Sequence, residues 1–273
     1  MRSLPLVLAA LLFGLARALA PGPGVWVDPL ATVGLDAVEP PPGPAAKALA
    51  GAHAERRALV GAPAAARPAL RRRAVEAALQ VVTAFPDEPE AVEAAFRAGE
   101  LRRAAGDAAG ALSAFRRAAE LGIGTTLGAR ATYEAAHVLR REGRWLEALT
   151  SYERVHHDAA ATAARRDLAG LWLARARLEL DQADEAERLL RRLASDVRDP
   201  LSRVRVHDLL IELLVARGEL AAAVGWLDAC KRAVHAVSLE QTRRGARVRG
   251  ELEDMRALAL LREAIEARHV VSR

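Results

Sequence analysis

The chain has 273 residues, 52% of them hydrophobic but only 4% aromatic, and a formal charge of +5. That is enough apolar material for one extended domain or two compact ones, and an Ala- and Leu-rich, aromatic-poor balance disfavours a sheet and favours closely packed helices. The charge does not mark a nucleic-acid binder: apart from Lys47 and Lys231 every basic side chain is an arginine, Asn is absent as in GC-rich coding, and the arginines are interleaved with 35 acidic residues.

The first twenty residues, "MRSLPLVLAALLFGLARALA", have a basic start at Arg2, an apolar run and Ala18-Leu19-Ala20 in the small-x-small pattern of a signal-peptidase site. We expect a signal peptide over 1–20, cleaved after Ala20, with export to the periplasm or the exterior and no stable membrane insertion afterwards. Cleavage removes Arg2 and Arg17 and no acid, taking the formal charge from +5 to +3. No cysteine lies near the cut for lipidation. Seven prolines fall between Pro21 and Pro44, so residues 21–46 read as a proline-rich linker in which a helix cannot propagate. Within it, Val25 to Leu30 is apolar enough to dock.

From Lys47 the chain repeats itself. The segments "GDAAGALSAFRRAAEL", "GRWLEALTSYERVHHD", "DQADEAERLLRRLASD" and "GELAAAVGWLDACKRAV" each hold a small residue at Ala111, Ala148, Ala186 and Ala223, with spacings of 37, 38 and 37 residues. A large residue follows four later, at Phe115, Tyr152, Leu190 and Leu227, and Ala118, Val155, Leu193 and Cys230 lie three beyond. Positions i, i+4 and i+7 share one helix face, so each unit presents a stripe that it cannot bury alone. The lone Cys230 has no internal disulfide partner and sits on that apolar face.

These residues resemble the tetratricopeptide repeat, a helix-turn-helix unit with small residues where its helices cross. Gly106, Gly143 and Gly218 match the turn glycine of that family, with Asp181 departing from it. Gly99 matches the small residue of helix A, Ala136 and Ala174 substitute for it, and Ile211 departs. The resemblance implies an all-α, right-handed helical-hairpin solenoid of about four to six repeats over 47–237. An upstream unit carrying Ala74, Ala78 and Val81 has its helix A at Lys47 to Val60, and residues 238–273 form a capping helix or partial repeat with Arg243, Arg247 and Glu251 towards solvent. Helix starts are expected at Asp87 with Glu90, at Ser238 with Gln241, and at Asp199 before Pro200. The repeats also resemble those of exported bacterial envelope proteins.

The family resemblance places a ligand groove on the A helices and implies a protein or peptide partner. The matching face carries Phe96, Glu100 and Arg103, then Arg130, Tyr133, His137, Arg140 and Arg141, then Leu171 and Arg175, with Glu179, Asp208 and Glu212 making the far end acidic. Arginine forks suit carboxylates, so an acidic or C-terminal peptide segment fits. The sequence therefore reads as a non-enzymatic scaffold without a cofactor. The alternative is a metal-dependent enzyme or metal-binding protein, since His156-His157-Asp158 and the Glu-x-x-His pairs Glu134/His137 and Glu153/His156 have the spacing of helical di-metal sites.

Overall fold

A computed structural model describes residues 42–197 and 199–238. The expected signal peptide, the linker up to residue 41 and the C-terminal cap beyond Ser238, including its Gln241 capping box, lie outside the described residues.

Ten helices are described: α1 (Pro44–Arg57), α2 (Arg67–Ala84), α3 (Pro89–Ala104), α4 (Ala108–Leu121), α5 (Thr126–Arg141), α6 (Trp145–His157), α7 (Ala163–Glu179), α8 (Ala183–Asp196), α9 (Pro200–Ala216) and α10 (Leu220–Ser238). They pair as five hairpins in an all-α solenoid. The first helix starts at Pro44, inside the stretch read as linker, because proline needs no amide donor in a first turn. Consecutive helices pack along their length, and the odd-numbered helices also touch one another, α1 on α3, α3 on α5, α5 on α7 and α7 on α9, whereas among the described residues the backbones of successive even-numbered helices do not approach closely, α4 reaching α6 through the Arg116–Glu147 ion pair at 3.0 Å. The odd-numbered helices, the A helices of the repeats, thus line the inner face of the stack.

The intra-repeat turns show why the repeat is legible. Asp107, Arg144, Gln182 and Glu219 donate their amides to the carbonyls of Arg102, Leu139, Arg177 and Leu214, five residues back, the Schellman closure of a helix end. That closure needs a left-handed residue just before, and Gly106 (φ 81°), Gly143 (φ 72°) and Gly218 (φ 74°) supply it. Asp181 adopts the same conformation at φ 58°, so the third turn keeps its geometry despite losing its glycine.

Side-chain caps set several helix starts. Asp107, Thr125 and Asp199 accept from the amides of Gly110, Gly128 and Ser202 at 2.8, 3.0 and 2.9 Å. At α3 the expected Asp87/Glu90 box does not form: the helix begins one residue later than the box requires, with Glu88 at the cap making no side-chain bond and Pro89 setting the first turn.

The core follows the repeat stripe. Ala111, Ala148, Ala186 and Ala223 are fully buried, as are Phe115, Tyr152 and Leu190, with Leu227 nearly so. In the α3–α4 hairpin, a Cβ on Gly99 would come within 2.6 Å of the Phe115 ring, which is why helix A carries glycine where Phe115 fills the crossing. The buried side chains form two clusters, one running from α1 through α7 and one from α7 through α10, and α7 contributes to both. Cys230 is buried and free, its thiol pushed up to about 11 by burial.

Candidate functional site: the inner face of α3, α5 and α7

The middle of the A-helix face is a row of rings. Tyr133 on α5 stands edge-on to His137 one turn later, with centroids 4.4 Å apart. His137 meets Tyr152 of α6 at 5.5 Å and Trp172 of α7 at 5.4 Å, and Tyr152 stacks on Trp172 at 6.4 Å. The Tyr152 hydroxyl lies 2.9 Å from His137 Nδ1. Burial raises the Tyr152 phenol well above its usual range, so it stays protonated and donates to the neutral imidazole. Burial, and then the cations Arg140, Arg103, Arg141 and Arg165, push His137 down to about 4. The same burial raises Tyr133.

Arginines from successive helices cover these rings. Arg130 lies over Phe96 at 4.6 Å, Arg165 over Tyr133 at 5.4 Å and Arg140 over Trp172 at 4.3 Å. The Nε atoms of all three are shielded from solvent and meet no acceptor among the described residues. Around them runs a lattice of ion pairs. Arg97 reaches Glu93 at 3.2 Å and Glu100 at 2.8 Å, and Glu100 also faces Arg130 at 3.6 Å and Arg56 at 3.9 Å. Arg103 pairs with Glu134, and Arg175 with Glu179 at 3.2 Å and Glu212 at 3.5 Å. Arg140 and Arg165 have no such carboxylate among the described residues, and Arg141 is exposed. Arg165 is held below its ordinary range by burial and then by Arg130.

The sequence-derived groove therefore divides. Glu100, Arg103, Arg130, His137, Arg140 and Arg175 come together on one face. Phe96 and Leu171 do not line it: Phe96 is fully buried against Phe115 at 5.5 Å, and Leu171 is 8% exposed in the C-terminal core cluster. Tyr133, 7% exposed, forms the floor under Arg165. Alanine-rich helices carry small residues on both flanks, so their pattern does not separate the ring that faces helix B from the one that faces solvent. Sequence reasoning also passed over Trp172, Arg165 and Glu134 as face residues. Arg165 is legible only through Thr162, whose hydroxyl accepts from the Arg165 amide at 3.4 Å and so fixes where α7 begins.

The histidines do not assemble into a metal centre. No group of three or more His, Cys, Asp or Glu side chains among the described residues is arranged to hold an ion. His137 Nδ1 is taken by Tyr152, and His156 Nδ1 is 2.9 Å from the Arg166 carbonyl, to which it donates, at the end of α6. His156 and His157 stand edge to face at 4.9 Å, closing a helix C-terminus where imidazoles suit the exposed carbonyls.

The fold is shared with solved repeat proteins. The chain is similar to the TPR-like repeats of a putative kinesin light chain from Podosopora anserina, with 18% identity over 73% of this chain and 99% of that one and a TM-score of 0.52. It is similar to MamA (residue 41 to its end) from Desulfovibrio magneticus RS-1, with 17% identity over 73% of this chain and 99% of that one and a TM-score of 0.52. PilF of Pseudomonas aeruginosa matches at 14% identity over 83% of this chain and all of that one, with a TM-score of 0.50. No family model and no curated protein sequence matches the chain.

Proposed function

We propose that this tetratricopeptide-repeat solenoid is an exported, non-enzymatic scaffold of the periplasm or cell envelope, working by protein–protein interaction and holding a peptide segment of its partner on the A-helix face. One observation carries the reading: Arg140 and Arg165 cover aromatic rings in the middle of a face shared by α3, α5 and α7 and make no ion pair with a carboxylate among the described residues, Glu134 beside Arg165 being paired with Arg103. Guanidinium groups so placed suit carboxylates from outside the chain. Arg97, Arg103 and Arg175 of the same face are engaged in ion pairs and His137 in ring packing, which suits recognition. Export rests on the pattern of residues 1–20.

The test is capture from the native cell envelope with the chain beginning at Pro21, beside an Arg140→Glu/Arg165→Glu variant whose helical circular dichroism is unchanged. We expect a protein that the unmodified chain retains and the variant loses. Equal capture by both would remove the A-helix face as the binding surface. N-terminal sequencing of the native protein should begin at Pro21, and an intact Met1 in a cytosolic fraction would refute export.

A further inference from the structure

We propose that the turn between α1 and α2 is a peripheral membrane contact, an apolar loop ringed by arginines that seats at the headgroup level of an anionic bilayer. The other four described hairpins turn in three residues, at 105–107, 142–144, 180–182 and 217–219, whereas α1 and α2 are joined by nine, 58–66. Those nine, "ALVGAPAAA", hold no polar side chain, and six of them are exposed, Val60 at 84%. Surface connections are ordinarily polar, and the repeat needs neither the extra length nor the apolar composition here. The loop folds on itself: the amides of Val60 and Ala62 donate to the carbonyls of Arg57 and Leu59 at 2.9 and 3.4 Å, those of Ala66 and Arg67 to Pro63 at 3.0 and 3.3 Å, and Gly61 turns the chain at φ 76°. Val60 is thereby held out at the tip.

Positive charge gathers at the same place. Residues 55–76 hold six arginines and two glutamates, a net +4, while the chain from Pro21 carries +3 in all, so everything else in it sums to −1. Arg56 and Arg57 precede the loop, and Arg67, Arg71, Arg72 and Arg73 follow it on the first two turns of α2. Arg56 faces Glu100 at 3.9 Å and Arg73 pairs with Glu55 at 2.7 Å, but Arg57, Arg67, Arg71 and Arg72 make no ion pair among the described residues. Pro68, Arg71 and Arg72 also line a groove of about 1000 Å³ that runs along α2 past Val75 and Leu79, so apolar surface adjoins the cations. Ile123, in the turn between α4 and α5, makes the contrast: it is 83% exposed, yet Arg116 and Arg154 around it are matched by Glu120, Glu147 and Asp158. A nucleic acid would satisfy the arginines and leave the apolar loop in water. An anionic bilayer suits both, its phosphates taking the guanidinium groups while Val60 reaches the edge of the acyl region. The loop goes no deeper, because irregular backbone is not tolerated in hydrocarbon, and no helix among the described residues is long and apolar enough to cross a membrane.

The experiment is co-flotation of the chain beginning at Pro21 with vesicles of phosphatidylcholine alone or with about 30% phosphatidylglycerol, at about 50 mM and about 300 mM salt. We expect retention on the anionic vesicles only, with an affinity that falls at least tenfold between the two salts and at least tenfold in an Arg57→Gln/Arg71→Gln/Arg72→Gln variant. Val60→Ser should weaken it about threefold or more, and Ile123→Ser should leave it unchanged, all with wild-type circular dichroism. Equal retention on neutral vesicles, no retention at the lower salt, or indifference to the three arginines would overturn the proposal. Loss with the arginines but full retention in Val60→Ser would overturn the bilayer reading in favour of a site for polyanions, which a DNA duplex bound with the same arginine dependence would identify. None of these variants touches the A-helix face, so its reading stands or falls separately.

Discussion

Acidification should weaken this fold through His137 before its carboxylates titrate. In the unfolded chain the imidazole takes a proton near its ordinary value of 6.5, while in the folded chain it does so only near 4. Between those values the unfolded state binds more protons, so stability is fully present above pH 6.5 and is lost as the pH falls towards 4. At 1.36 kcal/mol per pH unit the loss reaches about 2 kcal/mol by pH 5, an upper figure because part of the ring meets solvent. The structural cause is specific: a proton on Nδ1 would face the Tyr152 hydroxyl that now donates to it, within reach of four arginines. Urea unfolding of the wild type and of His137→Gln at pH 7.5 and pH 5 measures the effect, since titrations elsewhere cancel in the difference. The wild type should lose about 2 kcal/mol more than the variant on that descent. Equal losses, or an imidazole NMR midpoint near 6.5 in the folded protein, would refute the reasoning.

Gly99→Ala should cost roughly 1–3 kcal/mol, because its Cβ would come within 2.6 Å of a Phe115 ring already fully buried and unable to yield; an unchanged thermal midpoint would refute this. Asp181→Gly should raise the midpoint, removing about 1 kcal/mol of left-handed strain at φ 58°, and a loss of stability would mean that the side chain contributes more than the strain costs. Ala148→Arg, at a fully buried helix crossing, should cost roughly 3–5 kcal/mol through overpacking and an uncompensated charge. A wild-type calorimetric transition in that variant would show that the crossing can open. Asp107→Ala should cost about 1 kcal/mol by removing the cap on Gly110, read from the same transition.

Much of the fold was legible because the repeat writes the same physical demand at each crossing. Ala111, Ala148, Ala186 and Ala223 could be picked out as buried because a large residue follows each at one helical turn, and all four are buried. The turn glycines were legible for the same reason, since one backbone conformation recurs, and Asp181 shows that the demand falls on the conformation and not on the residue. The binding face was less legible. Phe96 and Leu171 were placed on it by their register in helix A, but that register has two apolar flanks, and the contact with Phe115 or with the α8–α10 cluster decides which side a ring takes. The pairing of Arg103 with Glu134 across 31 residues, which leaves Arg165 without an ion pair among the described residues, depends on how neighbouring repeats are offset. No local pattern encodes that offset.

Among the described residues the backbone of each helix approaches its immediate neighbours and, for the odd-numbered helices, the next of their row, while α7 buries side chains in both apolar clusters and Leu189 of α8 packs against each. Damage to an end hairpin is confined to a single seam, and folding can start at any well-formed pair and spread outward without closing a long loop. Whole hairpins can accordingly be gained or lost at the ends during descent at little cost. A lesion in α7 would instead divide the array into two shorter pieces, and it would part Trp172 and Arg165 from the α5 residues that share their face.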